Sequence, residues 1–214
     1  TDTRSTSERI LETAERLFAI QGYHGVSIRE IAKESDVALN LVRYHFGSKD
    51  DLFRAVTSGR LQAMCAIFIS SLEDAQQQAL AEDSVLSVRG IISAYALALD
   101  RMNAGGPGWN HYLRLIINAD RLVDRPELLP HLRETYEPVF DRYVEAFQAS
   151  GMSKEDACWA IYFMYTSVAQ LTLEIYSISR LSHGIADPAD HDQLLNRLID
   201  FLTDGLQALS TQKA

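Results

Sequence analysis

The chain has 214 residues, 47% hydrophobic and 23% charged, with no low-complexity tract; this excludes a disordered or fibrous protein and allows one large domain or two smaller ones. Its two cysteines, Cys65 and Cys158, cannot build a secreted disulfide framework, and no leader peptide or apolar run near the ~20 residues a bilayer requires is read, so the expected compartment is a reducing cytoplasm with no membrane partner. The net charge of -9 argues against a polyanion only for the later part, because residues 1–60 hold nine Lys/Arg and nine Asp/Glu and the whole deficit lies in 61–214.

Every periodic stretch repeats at the helical spacing and no alternating run is long enough for a sheet, so the expected fold is all-α. Ile10, Leu11, Ala14, Leu17 and Phe18 share one face of a first helix, which Gly22 ends. Ser27 and Glu30 form a capping box that opens a short second helix, with Ile28, Ile31 and Ala32 as its apolar face. Ser35 and Asp36 break it, and a third helix runs from Ala38 to Phe46 before Gly47 stops it. Ser48 with Asp51 caps a long fourth helix, which the pattern carries through Met64, Phe68 and Leu72 to Gln78 without a flexible linker. A fifth helix is predicted from Ser84 to Met102, closed by Gly105, Gly106, Pro107 and Gly108, and a sixth from Trp109 to Val123. A seventh spans Pro126 to Gln148, bent or interrupted at Pro130 and Pro138. Ser153 and Asp156 cap an eighth that reaches Ser182, and the last helix starts at Asp187 with Pro188 in its first turn.

Two short helices joined by a tight turn and braced by a first helix make the arrangement of a DNA-reading helix-turn-helix. In the third helix Val37, Val42 and Phe46 can point inward, leaving Asn40, Arg43 and Tyr44 as one outward polar face. An outward Arg can pair with guanine O6 and N7, an Asn with adenine, and Leu39 or Leu41 can press on a thymine methyl. Candidate phosphate contacts are Ser27 at a helix start, Tyr44 and His45 late in the third helix, and Lys49 in the first turn of the fourth. Arg29 suits either a base edge or a phosphate.

The continuous stretch RILETAERLFAIQGYHGVSIREIAKESDVALNLVRYHFGSKDDLFRAV carries ILETAERLF, GYHGVSIREIA, YHF and GSKDDLF in order, and it resembles the DNA-binding domain of TetR-family repressors. The resemblance implies a helix-turn-helix domain over residues 1–53, joined by a long helix to a domain over 54–214 that binds a small-molecule effector and dimerises. It also implies that Ser27, Arg29, Leu39, Asn40, Arg43, Tyr44, His45 and Lys49 face double-stranded operator DNA, and that effector binding relieves repression, with an activator role left open. Asp36 stands where the family's turn usually has Gly, and Ala38 where a Ser or Thr cap is usual. Arg43 replaces a frequent aromatic residue, so the operator need not follow those of relatives.

The segment CWAIYFMYTSVAQLTLEIYSI from Cys158 is apolar on nearly all sides and must be covered on more than one face. Leu195, Leu198, Leu202, Leu206 and Leu209 stripe the last helix, and two such helices from each of two chains would close a four-helix interface. The expected dimer residues are Tyr165, Leu173, Tyr176, Leu195, Leu198, Leu202 and Leu206, an arrangement that the resemblance also implies. Met64, Phe68, Tyr95, Met102, Trp109, Tyr112, Ile116, Phe140 and Tyr143 are candidates to line an effector cavity, with ordinary core packing the competing reading for each. An apolar or aromatic effector is the expected class. With no phosphate-binding Gly-Lys-Ser/Thr loop, nucleophile elbow or metal-spaced His/Cys set, neither catalysis nor a cofactor is expected.

Overall fold

The computed structural model describes residues 5–174, 177–186 and 191–211, which are helical throughout their regular elements, with no strand among them. In chain order the elements are α1 (Thr6–Gly25), α2 (Ile28–Glu34), α3 (Leu39–Phe46), α4 (Lys49–Ser58), α5 (Leu61–Ala81), α6 (Val88–Ala104), α7 (Pro107–Asp120), a 3-10 turn (Pro126–Leu128), α8 (Pro130–Ala149), α9 (Lys154–Glu174), α10 (Ser177–Leu181) and α11 (His191–Thr211).

Serine caps set several helix starts. The Ser27, Ser48 and Ser153 hydroxyls each accept, at 3.1 Å, the amide three residues on, from Glu30, Asp51 and Asp156. Gly22 (φ 71°) kinks the end of α1 and Gly47 (φ 71°) closes α3, both in the left-handed region that a β-carbon disfavours.

The expected long fourth helix is two helices. Gly59 keeps helical dihedrals, but its N–H donates to Val56 O, three residues back, instead of continuing the four-residue ladder, and α5 begins at Leu61. The Thr57 carbonyl at this joint accepts the Tyr112 hydroxyl. Contrary to the sequence reading, the stretch Lys49–Ala81 is long and apolar enough by hydropathy to cross a bilayer. Its side chains Leu52, Phe53, Val56, Leu61, Met64, Phe68 and Leu72 are buried in the protein interior, so core packing accounts for its apolar character.

Proline accounts for three further shifts. Pro107 opens α7 two residues before the expected start, as its fixed φ suits a first helical position. Pro126 forms only a 3-10 turn and Pro130 begins α8, while Pro138 sits inside α8 without ending it. The expected eighth helix is described as α9 to Glu174 and as α10 over Ser177–Leu181, and the expected start of the last helix at Asp187 and Pro188 lies outside the described residues.

Two compact units are formed, one from Thr1–Cys65 with Met102–Tyr136 and the other from Ala66–Arg101 with Glu137–Ala214. The first therefore takes in α7 as well as the helix-turn-helix, so compactness does not follow the functional division expected at residue 53. Its core is built on Ile10, Ala14, Leu17 and Phe18 of α1, with Ile31, Val42, Leu52 and Phe53. Phe18 and Tyr23 both meet the Phe53 ring edge-on, with centroids 5.2 and 5.1 Å away. Burial of such a side chain contributes about 1.5–3 kcal/mol. In the second unit Phe68, Leu72, Ile91, Ile92, Tyr95, Tyr143 and Phe147 are buried, and α9 packs on α11.

Candidate nucleic-acid interface

The candidate surface starts from the turn between α2 and α3. Asp36 N–H donates to Lys33 O at 3.2 Å and Val37 N–H to Ala32 O at 3.0 Å, the paired bonds of a Schellman cap, with Asp36 left-handed at φ 53°. Asp tolerates that conformation better than most residues but less freely than the usual glycine. Ser35 is buried, its hydroxyl donating to Ile31 O at 2.6 Å. The remaining carbonyls of the turn are taken from outside: Arg9 Nη2, on α1, donates to Ser35 O at 2.6 Å and Asp36 O at 2.7 Å. Ala38 makes no side-chain cap, as its methyl requires, and Leu41 N–H closes the first turn of α3 on Ala38 O at 2.9 Å.

Val42 is fully buried and anchors α3, while Asn40, Arg43, Tyr44 and His45 are exposed on it; Tyr44 retains 82% of its surface. Leu39 is half-buried, and Leu41 is exposed. The Tyr44 and His45 rings meet edge-on with centroids 5.3 Å apart. Ser27 and Arg29 are exposed at the start of α2, where Gln21 Nε2 donates to Glu30 Oε1 at 3.0 Å and steadies the capping box.

Lys49 opens α4 with its ammonium 4.3 Å above the centroid of Tyr23. Tyr23 donates its hydroxyl to Asp50, and Arg125 joins both, with Nη1 donating to the Tyr23 oxygen at 2.9 Å and Nη2 to Asp50 Oδ2 at 2.5 Å. Burial first, then the like charge of Arg125, pulls the Lys49 pKa below its ordinary value, against Asp50. The Tyr23 hydrogen bond, then Arg125, holds the Asp50 carboxyl below the usual range. The roles of Arg9 and Arg125 had no sequence signal, because the site groups they hold, the Ser35 and Asp36 carbonyls and the Tyr23 and Asp50 side chains, lie 26 to 102 residues away.

The residues expected to line an effector cavity fall in both units. In the first, Met64, Met102 and Tyr112 are buried, and Trp109 and Ile116 are half-buried; Trp109 meets Tyr112 edge-on at 6.0 Å and lies under the Arg60 guanidinium at 5.5 Å. In the second, Phe68 stacks on Tyr95 at 4.7 Å, Tyr95 meets Tyr143 edge-on at 5.6 Å, and Phe140 is half-buried. Tyr112 and Tyr143 are fully buried, each with its hydroxyl on a backbone carbonyl and its pKa pushed up by burial, so both are core residues.

Of the expected dimer residues, Leu202 and Leu206 are buried within the chain, Tyr165, Leu195 and Leu198 are half-buried, and the side chains of Leu173 and Tyr176 lie outside the described residues. On α9 and α11 the large apolar groups exposed among the described residues are Trp159, Tyr162, Phe163 and Phe201. Trp159 stacks on Phe163 with centroids 5.8 Å apart. No group of three or more His, Cys, Asp or Glu side chains that could hold a metal occurs among the described residues.

Residues 10–56 match the family described as bacterial regulatory proteins, tetR family, and residues 95–205, more than half of the chain, match the tetracyclin repressor-like C-terminal domain. A probable HTH-type transcriptional regulator, YttP of Bacillus subtilis, is 41% identical over 54 residues, 25% of this chain and 26% of that one, and the chain spans about a quarter of the length of the curated relatives it matches. Among solved structures, the ketosteroid transcriptional regulator KstR2 of Mycobacterium tuberculosis superposes with a TM-score of 0.64 at 14% identity, covering 95% of this chain and 96% of that one. The multidrug binding protein EbrR, solved with malachite green, superposes with a TM-score of 0.56 at 20% identity, covering 92% and 96%. With a helix-turn-helix at one end and the matching helical domain over most of the remainder, the chain belongs to the TetR family of transcriptional regulators.

Proposed function

We propose that this protein is a cytoplasmic repressor that binds an operator as a homodimer and is released when a small apolar or aromatic molecule binds its 54–214 domain, with residues 1–53 reading the DNA. The observation that carries the reading is the α3 face, where Asn40, Arg43, Tyr44 and His45 are exposed while Val42 fixes the helix to the core. Arg43 and Asn40 suit base edges; Ser27, Tyr44, His45 and Lys49 suit phosphates; Leu39 suits a thymine methyl; Arg29 suits either.

The partner proposed for the exposed aromatic face is a second copy of this chain. Trp159, Tyr162 and Phe163 on α9 and Phe201 on α11, 73% exposed, belong to two helices that pack together. The burial of Leu202 and Leu206 within the chain favours a proposed interface centred on the side of α11 that carries Phe201. The likeness in fold to EbrR supports a small-molecule effector. Candidates that keep accessible surface are Trp109 and Ile116 in the first unit and Phe140 in the second. Effector binding would favour a dimer whose recognition helices no longer match major grooves about 34–36 Å apart.

The test is selection of duplexes from a random library by the purified protein, followed by anisotropy of the winning duplex during addition of apolar and aromatic compounds. Enrichment of a twofold-related sequence and its release by one compound class are expected. No enrichment rejects DNA reading, while persistent binding through the compound series rejects effector control. Sedimentation should show a dimer that Phe201→Glu shifts toward monomer with helicity unchanged; a monomeric wild type would reject the interface.

A further inference from the structure

We propose that Arg9 is a positioning residue for base reading: reaching across from α1, it holds the α2 to α3 turn in a conformation that Asp36 adopts under restraint, and so sets the pose of α3. The inference rests on the DNA reading proposed for α3 and adds a residue that touches no DNA in it.

The turn is self-sufficient only in its amides. Asp36 and Val37 donate back to Lys33 O and Ala32 O, and the Ser35 hydroxyl is spent on Ile31 O. The carbonyls of Ser35 and Asp36 both accept from Arg9 Nη2, at 2.6 and 2.7 Å. A guanidinium at this end of α2 also meets the negative pole of the helix dipole. Glycine at position 36 would reach φ 53° unaided, whereas Asp carries a β-carbon there. Ala38, just beyond the turn, offers α3 no side-chain cap, so the start of the recognition helix depends on the turn before it. These bonds end on the chain's own backbone carbonyls, which separates Arg9 from the residues assigned to phosphates.

The experiment compares Arg9→Met, Arg9→Lys, Asp36→Gly and the Arg9→Met/Asp36→Gly pair on the duplex that wild type enriches, with affinity referred to the folded, binding-competent fraction. Arg9→Met should lose about tenfold in affinity or more, with Arg9→Lys between it and wild type. The salt slope should not change, since no phosphate contact is removed. Adding Asp36→Gly to Arg9→Met should restore affinity to within about threefold of Asp36→Gly alone. Amide exchange without DNA should quicken across residues 36–42 in Arg9→Met and leave the α7 amides as they were.

Unchanged affinity in Arg9→Met, a slope reduced by about one, or no rescue by Asp36→Gly would each overturn the proposal. A wild type that enriches no duplex fails the DNA reading itself, whereas unchanged amide exchange in Arg9→Met is the separate failure of the clamp.

Discussion

The Lys49 ammonium rests 4.3 Å from the centroid of the Tyr23 ring, whose hydroxyl is fixed on Asp50. The ring thus gives a flexible side chain one preferred seat at the start of α4, where a phosphate would also meet the positive pole of the helix. Lys49→Ala is expected to weaken binding to specific and random duplexes alike and to reduce the slope of log affinity against log salt by about 0.9. Titration of both duplexes at several salt concentrations reads this, and an unchanged slope rejects the phosphate contact.

Arg43 should behave differently. It is exposed on the α3 face that includes Asn40, and in the proposed reading its loss would remove base discrimination more than bulk affinity. Arg43→Ala is expected to cost about 1–3 kcal/mol on the preferred sequence and little on random DNA. Competition with duplexes altered one base pair at a time should show preference relaxed at one or two positions and kept elsewhere; uniform weakening refutes the base contact.

Tyr112 is fully buried with its hydroxyl on the Thr57 carbonyl, at the joint where α4 gives way to α5. Tyr112→Phe strands that carbonyl and is expected to cost about 1–3 kcal/mol of stability. Urea unfolding should show a lower midpoint with the same m value; an unchanged midpoint would mean that water or a rearranged turn replaces the hydroxyl.

The pH dependence of stability has an identifiable contributor in His131. Thr57 Oγ1 donates to Phe53 O at 2.9 Å, so it accepts from His131 Nε2, also at 2.9 Å, which assigns the proton of the neutral ring to Nε2. Burial first, then Arg54, holds the imidazole below its ordinary pKa of 6.5, with Glu134 opposing. The unfolded chain therefore takes up this proton before the folded one does. Stability contributed by the neutral ring is present above the ordinary pKa and lost as pH falls below it, until the folded ring protonates too. His131→Gln should flatten the urea midpoint between about pH 7 and 5 relative to wild type; parallel profiles would rule His131 out.

The legible parts of the molecule were those decided within a few residues. Ser27 with Glu30, Ser48 with Asp51 and Ser153 with Asp156 write their helix starts into the sequence, and Gly22 and Gly47 mark breaks that their positive φ values require. The joint at Gly59 was not visible, because that glycine keeps ordinary helical dihedrals and no proline or polar cap announces the change. The leucine stripe of α11 has the right spacing for a buried face but cannot say whether its cover is the same chain or another; Leu202 and Leu206 are covered from within. Of the site, the outward face of α3 followed from periodicity, while the supports from Arg9 and Arg125 depend on contacts that only folding brings together.

The chain holds two tryptophans, and they occupy opposite kinds of surroundings. Trp109 is half-buried beneath the Arg60 guanidinium, and Trp159 is 51% exposed and stacked on Phe163. Their emission is therefore separable: iodide quenches the accessible indole first, and pairing of two copies over α9 would shield it, while changes around α7 register in the other chromophore. The two indoles are an unlabelled optical probe of the α9 face and of the surroundings of α7, each assignable by a single Trp→Phe replacement.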